Sequence, residues 1–550
     1  MPPTELDFDS CYRAVSARDS RFDGRFYTAV TTTRIYCRPI CPARTPASRN
    51  VRFYRHAASA EAAGFRPCKR CRPELSPGDP GWDLRGDLIG RALRLIDDGD
   101  ADEQGIAGLA RRLHITERHL HRLFVAELGV GPLAVARTKR LLLAKQLLTE
   151  TVLPVTEVAF AAGFGSVRQF NATMRETYGF TPSELRATSG PRTARSTAAS
   201  RTTGSRTAGS TTASRTVGST TSSRTASSRT AGTTVGSRTA GNIPTAPTPR
   251  AHALVADPPI RASQSFPEAA TAESPGPAAL PAGPVTLRLR LNRREPYDVD
   301  GIFAFLASRA IPGLEVAGPK SYTRAVAGGT ITLSPRPDHI ALDVAVEDTR
   351  QLARVVARCR RLLDLDADPE AISGVLGQTS LAPLVAARPG LRVPGTFDGF
   401  ELAVRAVVGQ QISVAGARTL LGRIVARADA PGGLFPTPAH LMETDLTGLG
   451  LTNRRIATLK ELSAHLTEGR IDLDGGQDPA EAVAGLLEVR GIGPWTAGYI
   501  ALRALRDPDA WPTGDLVLVK RMAALGIPHD HIERWRPWRA YAALHLWSSS

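Results

Sequence analysis

No apolar run in this 550-residue sequence reaches the ~18 residues that span a bilayer, so no membrane partner is expected. The opening MPPTELDFDS is acidic and lacks the apolar stretch of a secretory signal, which places the expected chain in the cytoplasm. Acidic residues are missing altogether between Ser189 and Arg250, where nine arginines stand. Cysteine is scarce: six in all, with Cys359 alone in the second half. A single cysteine there excludes an iron-sulfur cluster from that half. In a reducing compartment, paired cysteines serve metal binding or catalysis more often than disulfides.

What is present is positive charge. The chain carries 69 Lys+Arg against 53 Asp+Glu, which favours a polyanionic partner, nucleic acid before anionic lipid. Part of the excess lies in a low-complexity segment, 189–283, where Ser-Arg-Thr occurs six times before a Pro/Ala-rich run. Such composition buries too little apolar surface to offset its ordering entropy, so a disordered tether is expected. Before it, GRFYTAVTTTRIYC reads as strands, SAEAAGF as a short helix, and 83–186 as helical throughout. After it, VTLRLRLN alternates as a strand, and GTITLSPRPDHIALDVAV reads as a hairpin about Pro-Arg-Pro-Asp. Beyond Glu347 the pattern is helical.

Cys37-x3-Cys41, 26 intervening residues, then Cys68-x2-Cys71 is a spacing suited to one tetrahedral Zn²⁺. The site could be structural only. Four thiolates on a divalent cation form a dianion, however, so a sulfur can remain nucleophilic at neutral pH. TTTRIYCRPICPAR, NVRFY and EAAGFRPCKRC together resemble the zinc domain of the Ada family of bacterial alkylation-response proteins. The resemblance implies that Cys37 accepts a methyl group from a DNA methylphosphotriester while Cys41, Cys68 and Cys71 hold the metal with it. It also implies DNA contacts at Thr33, Arg44 and Arg66. Pro42 stands where the family has an arginine, so one phosphate contact is missing. Methylation would turn the dianion into a monoanion and reduce repulsion toward neighbouring phosphates, raising DNA affinity.

GIAGLARRLHITERHLHRLFVAEL reads as helix, turn and a second helix opened by Thr116, with Arg118 and Arg122 projecting outward. VTEVAFAAGFGSVRQFNATMRETYGFTPSELR repeats the plan, with Gly163–Gly165 in the turn and Arg168 and Gln169 early in the second helix. The pair resembles the AraC-type tandem helix-turn-helix domain. Recognition helices of this kind set N-terminal side chains against base edges, which makes these four residues candidate DNA contacts. The alternative is a helical bundle with solvated arginines.

LLEVRGIGPWTAGYIALRAL holds two helices about a hairpin in which Gly491 and Gly493 free backbone amides for a DNA phosphate. With Asp515 in AWPTGDLVLVKR and the terminal ERWRPWRAYAALHLW, it resembles the AlkA type of helix-hairpin-helix 3-methyladenine glycosylase. On that resemblance Asp515 is the catalytic carboxylate, and Trp495, Tyr499 and Trp547 line the base pocket. Gln411 stands where the best-known relative has a leucine wedge. Asp515, following Pro-Thr-Gly, is equally well placed as a helix N-cap. Lyase relatives carry lysine where Trp495 stands, so a monofunctional glycosylase is expected. A Pro-Cys-His-Arg motif is absent, so the second methyl acceptor of full-length Ada proteins is not expected.

The expected chain is therefore a multidomain α+β protein. It comprises a four-cysteine zinc domain (1–78), an all-α tandem helix-turn-helix domain (83–188), the disordered linker (189–283), an AlkA-like N-terminal β-rich domain (284–375) and an all-α helix-hairpin-helix domain (376–550). The implied partners are alkylated double-stranded DNA, promoter DNA and RNA polymerase. A monomer associated with the nucleoid is the expected state, since tandem recognition units let one chain bind. The competing reading is a transcriptional regulator whose glycosylase-like half only docks on DNA.

Overall fold

The computed structural model describes residues 6–79, 88–189 and 284–549. The stretch expected as a tether lies outside them from 190 to 283, as do 83–87 of the expected helical domain.

β-Branched and aromatic residues place β1 (Tyr27–Val30) and β2 (Ile35–Cys37) as a hairpin, flanked by β3 (Val51–Tyr54) and a two-residue β4 (Arg66–Pro67). The order is β3-β1-β2-β4, with β2 and β4 parallel and Tyr36 opposite Pro67. That register sets Cys37 and Cys68 side by side, each one residue past the pair. The Cys68 amide locks it by donating to Tyr36 O at 2.9 Å. The helix Ala57–Ala62 packs behind, its first turn capped by His56 Nδ1 accepting from Ala58 N at 3.1 Å. The core here is small: Ala29, Tyr36, Ala57, Ala60 and Phe65.

The two helix-turn-helix units share their punctuation. Thr116 caps Glu117–Leu128 by accepting from His119 N, and Ser166 caps Val167–Tyr178 by accepting from Gln169 N, both at 3.2 Å. Each helix stops at a left-handed glycine, Gly129 or Gly179, and the next starts on a proline, Pro132 or Pro182. These are standard start and stop signals, and they explain why the pattern was readable. Leu109, Leu113, Leu120 and Phe124 are buried. One departure is Gly105, whose positive φ of +68 kinks the helix Asp100–Arg112.

Strands β5 (Val285–Asn292), β6 (Glu315–Gly318), β7 (Ser321–Val326), β8 (Gly329–Pro335) and β9 (His339–Val346) form an antiparallel sheet ordered β5-β9-β8-β7-β6. The β8–β9 hairpin turns at the expected Pro-Arg-Pro-Asp. A helical body from Leu352 onward completes the fold, with Trp535 and Trp538 in its core.

The parts of the chain before and after the low-complexity stretch pack on each other. One apolar cluster joins Leu141, Phe164, Phe170 and Met174 of the helix-turn-helix region to Leu287, Leu289 and Leu342 of the second sheet. Polar contacts flank it: Gly78 N donates to Asp366 at 2.7 Å, Arg290 N to Glu150 at 3.1 Å, and Arg354 pairs with Glu103 at 2.8 Å. Each apolar face looks like a self-contained core in sequence, so the shared burial is not visible there.

Glu61 joins the zinc domain to the helix-turn-helix region. Its carboxylate accepts from Tyr36 Oη (2.9 Å), Thr138 Oγ1 (2.6 Å) and Tyr178 Oη (3.3 Å). A second joint is the buried pair Lys145–Glu74, with Lys145 Nζ also donating to Cys68 O at 3.2 Å. Burial pushes the Glu61 carboxyl up to about 7, against the pull of its three hydroxyl donors and Arg137. The folded chain therefore keeps a proton that the unfolded chain has lost above its ordinary value of 4.5. This contribution to stability is whole below that value and is lost as pH rises through about 7. Urea unfolding of zinc-loaded protein between about pH 5 and 8 should show stability falling with pH, and Glu61→Gln should flatten that fall.

Candidate functional site

Two separate sites emerge. At the ends of β2 and β4 the sulfurs of Cys37, Cys41, Cys68 and Cys71 lie within 4.8 Å of one another. Sulfurs about 2.3 Å from a tetrahedral zinc lie just under 4 Å apart, so the four thiols fit one zinc ion. The backbone N–H of Arg38 donates to Cys71 Sγ at 3.3 Å. The Arg38 side chain is clamped to Asp23 and to Cys71 O. Cys68 and Cys71 are buried, whereas Cys37 and Cys41 keep partial exposure. Thr33 and Arg44 are exposed near them in sequence, and Arg66 is half-buried on β4. Arg118, Arg168 and Gln169 are exposed in the first turns of their helices, and Arg122 is exposed one turn beyond Arg118.

The second site is a cavity of about 790 Å³ between the β-rich and helical bodies. The helix Pro494–Arg503 lines it, and a hairpin joins that helix to Pro479–Glu488. Gly491 has φ +98, and a Cβ there would meet Thr458 Oγ1 at 2.2 Å, so both conformation and space demand glycine. Gly493 precedes Pro494 as the N-cap and faces open space, as a backbone approached by a phosphate should. Gln410 braces the hairpin, donating from Nε2 to Gly491 O and Thr496 Oγ1, both at 3.0 Å. Next to it Gln411 is exposed with φ +56, a left-handed conformation rare for glutamine.

Trp495 and Tyr499 lie one turn apart on the hairpin's second helix, stacked at 5.7 Å and 14°. Trp547 meets Tyr499 edge-on at 6.3 Å. Asp515 closes the wall and is also a helix N-cap. Oδ1 accepts from Leu518 N at 2.8 Å, capping the helix Leu516–Ala524. Oδ2 accepts from Trp495 Nε1 at 2.7 Å, and Trp547 Nε1 reaches Oδ1 at 3.3 Å. Among the described residues Asp515 has no ion-pair partner, so its charge faces the cavity uncompensated. Phe305, Arg309 and Arg503 also line the cavity, and sequence reasoning did not find them. Only Arg503 left a signal: it is spaced four and eight residues from Tyr499 and Trp495.

Three family models match: the metal binding domain of Ada over residues 10–74, a helix-turn-helix domain over 109–188, and the AlkA N-terminal domain over 288–398. A probable bifunctional transcriptional activator/DNA repair enzyme AlkA of Mycobacterium tuberculosis is 41% identical over 562 residues, spanning 99% of this chain and 96% of that one. The chain belongs to this family of bifunctional transcriptional activator/DNA repair enzymes. Its parts match separate proteins of Escherichia coli. DNA-3-methyladenine glycosylase 2 is 36% identical over 276 residues, 47% of this chain and 95% of that one. The bifunctional enzyme Ada is 37% identical over 183 residues, 33% of this chain and 50% of that one. As in the first relative, both parts sit on one chain.

In a member of this family the zinc domain's few core residues cannot carry the fold unaided. Structural zinc supplies about 10–16 kcal/mol in isolated fingers, far more than so small an apolar cluster. Plasma mass spectrometry should count a single zinc per wild-type chain. Cys71→Ala should lose the metal and the protease resistance of the first domain, and Thr33→Ala should keep both.

Proposed function

We propose that this chain detects backbone methylation of DNA through Cys37, answers it by transcriptional activation, and removes alkylated bases through the cavity at Asp515. The observation that carries the repair reading is an unpaired carboxylate held by two indole N–H groups beside stacked aromatics, next to a glycine hairpin. We assign the boundaries as zinc domain 1–78, regulator 83–188, β-rich domain 284–375 and glycosylase 376–550.

Zinc, when bound, keeps the cysteine sulfurs as thiolates at neutral pH. Cys37, half-exposed at the strand end, attacks the methyl carbon of a phosphotriester. The S–C bond forms as the O–C bond breaks, and the electron pair stays on the phosphate oxygen. The lesion is uncharged, so an anionic sulfur cluster approaches it without the usual repulsion. Cys37 is then a thioether, and each chain reacts once. Loss of one negative charge strengthens phosphate binding by Arg44 and Arg66. The recognition helices carrying Arg118, Arg122, Arg168 and Gln169 hold a promoter, where RNA polymerase is the partner. A monomer in the bacterial cytoplasm, gathered on the nucleoid, suffices. Among the described residues no helix is long and apolar enough to cross a membrane.

In the second site a damaged nucleotide leaves the stack, with Gln411 filling the gap and the Gly491–Gly493 hairpin holding the phosphate. A purine alkylated on a ring nitrogen is cationic, and Trp495, Tyr499 and Trp547 offer electron-rich faces worth about 0.5–2 kcal/mol each. Such a base leaves without a proton donor. Asp515 stabilises the positive charge developing at C1′ and orients the attacking water. No lysine replaces Trp495, so hydrolysis rather than strand scission follows.

Asp515→Asn should cut release of 3-methyladenine from methylated duplex DNA by about 100-fold or more while DNA binding persists. No release by the wild type would reduce this half to a docking module, and equal release by wild type and variant would take Asp515 out of the chemistry. Mass spectrometry of the zinc domain after exposure to methylated DNA should find one added methyl on Cys37, and none on Cys37→Ser.

A further inference from the structure

The hydroxyl of Tyr499 lies between positive charges. Arg503 Nη1 donates to Tyr499 Oη at 2.9 Å, while its Nε and Nη2 are held by the carbonyls of Pro394 (2.7 Å) and Gly395 (2.9 Å). The guanidinium is buried and fixed at three points, so it cannot swing away. Arg309 approaches the same hydroxyl from the helix Val299–Arg309 of the β-rich domain, and Arg405 adds charge from behind. Among the described residues neither Arg503 nor Arg309 forms an ion pair with a carboxylate. Burial alone would raise the pKa of a phenol, yet Arg503 and Arg309 hold Tyr499 below its ordinary value. A guanidinium only donates. Tyr499 Oη must therefore accept, which leaves its own proton free to point into the cavity that Trp495 and Asp515 also line.

We propose that Tyr499 is a catalytic hydrogen-bond donor to the departing base, required for uncharged lesions and dispensable for cationic ones. The proposal rests on the glycosylase reading above and adds a proton source to it. A cationic base departs neutral once it takes the electron pair of the C1′–N bond. An uncharged base departs as an anion unless a proton reaches it. As the C1′–N bond breaks and its electron pair moves to the base, the Tyr499 proton passes to a ring nitrogen or exocyclic oxygen. Water adds to C1′ on the Asp515 side and gives up its proton through that carboxylate to solvent. The Tyr499 phenolate, flanked by Arg503 and Arg309, then recovers a proton from water. One water is consumed, and neutral base and abasic sugar are produced. Arg503 is the positioning residue, acting through Tyr499.

Single-turnover excision by the full zinc-loaded chain separates the possibilities. The probes are duplexes carrying one 7-methylguanine, a cation, or one hypoxanthine, which is uncharged. Tyr499→Phe keeps the stacked ring. It should slow hypoxanthine release at least about 30-fold more than it slows 7-methylguanine release. Arg503→Lys should retain more hypoxanthine activity than Arg503→Met at similar 7-methylguanine activity. Equal losses on both lesions would overturn the proposal and leave Tyr499 a wall of the pocket. So would a wild type that releases 7-methylguanine but no hypoxanthine. Failure of wild type to release 7-methylguanine would instead overturn the glycosylase reading itself.

Discussion

A carboxylate gripped by two indole N–H groups and a helix amide organises the repair half of this protein. Asp515 sits at the start of Leu516–Ala524, so backbone geometry fixes its Oδ1 while Trp495 and Trp547 fix the plane of the group. All three partners are donors without full charge, so the negative charge stays available to the cavity. An arginine there would anchor the side chain equally well and cancel its use. The indoles serve twice, as clamps on the carboxylate and as walls of the pocket. Moving either tryptophan therefore disturbs both the carboxylate and the cavity wall.

The regulatory half is organised by a comparable economy of contacts. The parallel pairing of β2 with β4 brings two distant cysteines together, and the carbonyl next to one of them, Cys68 O, is held by Lys145 of the helix Pro132–Glu150. Glu61 ties Tyr36, the neighbour of Cys37, to the two helices bearing Thr138 and Tyr178. The sulfur cluster is thus one or two residues from groups bonded to the helix-turn-helix region. The shared apolar cluster then joins those helices to the glycosylase half.

Much of this is local and could be read directly. The cysteine spacing, the caps Thr116 and Ser166, the stop signals Gly129 and Gly179, and the β8–β9 turn are all encoded within a few residues. Trp495 and Tyr499 share a helical face, so their stacking follows from a four-residue spacing. What sequence hid is non-local. Arg503 lies on that same face, but its role depends on the carbonyls of Pro394 and Gly395, more than a hundred positions earlier. Phe305 and Arg309 reach the pocket from another domain. The packing of the two halves spans a low-complexity stretch that offers no clue to it. Asp515 supported two readings, cap or functional carboxylate, because both use the same atoms.

The central claim is that Asp515 meets positive charge at C1′ in the transition state. The most direct test is binding to a duplex carrying a pyrrolidine nucleotide, whose ring cation stands in for that charge, against one carrying the neutral tetrahydrofuran. The account predicts that wild type prefers the cation by about 100-fold or more, and that Asp515→Asn abolishes the preference. A preference that survives in the variant would contradict it.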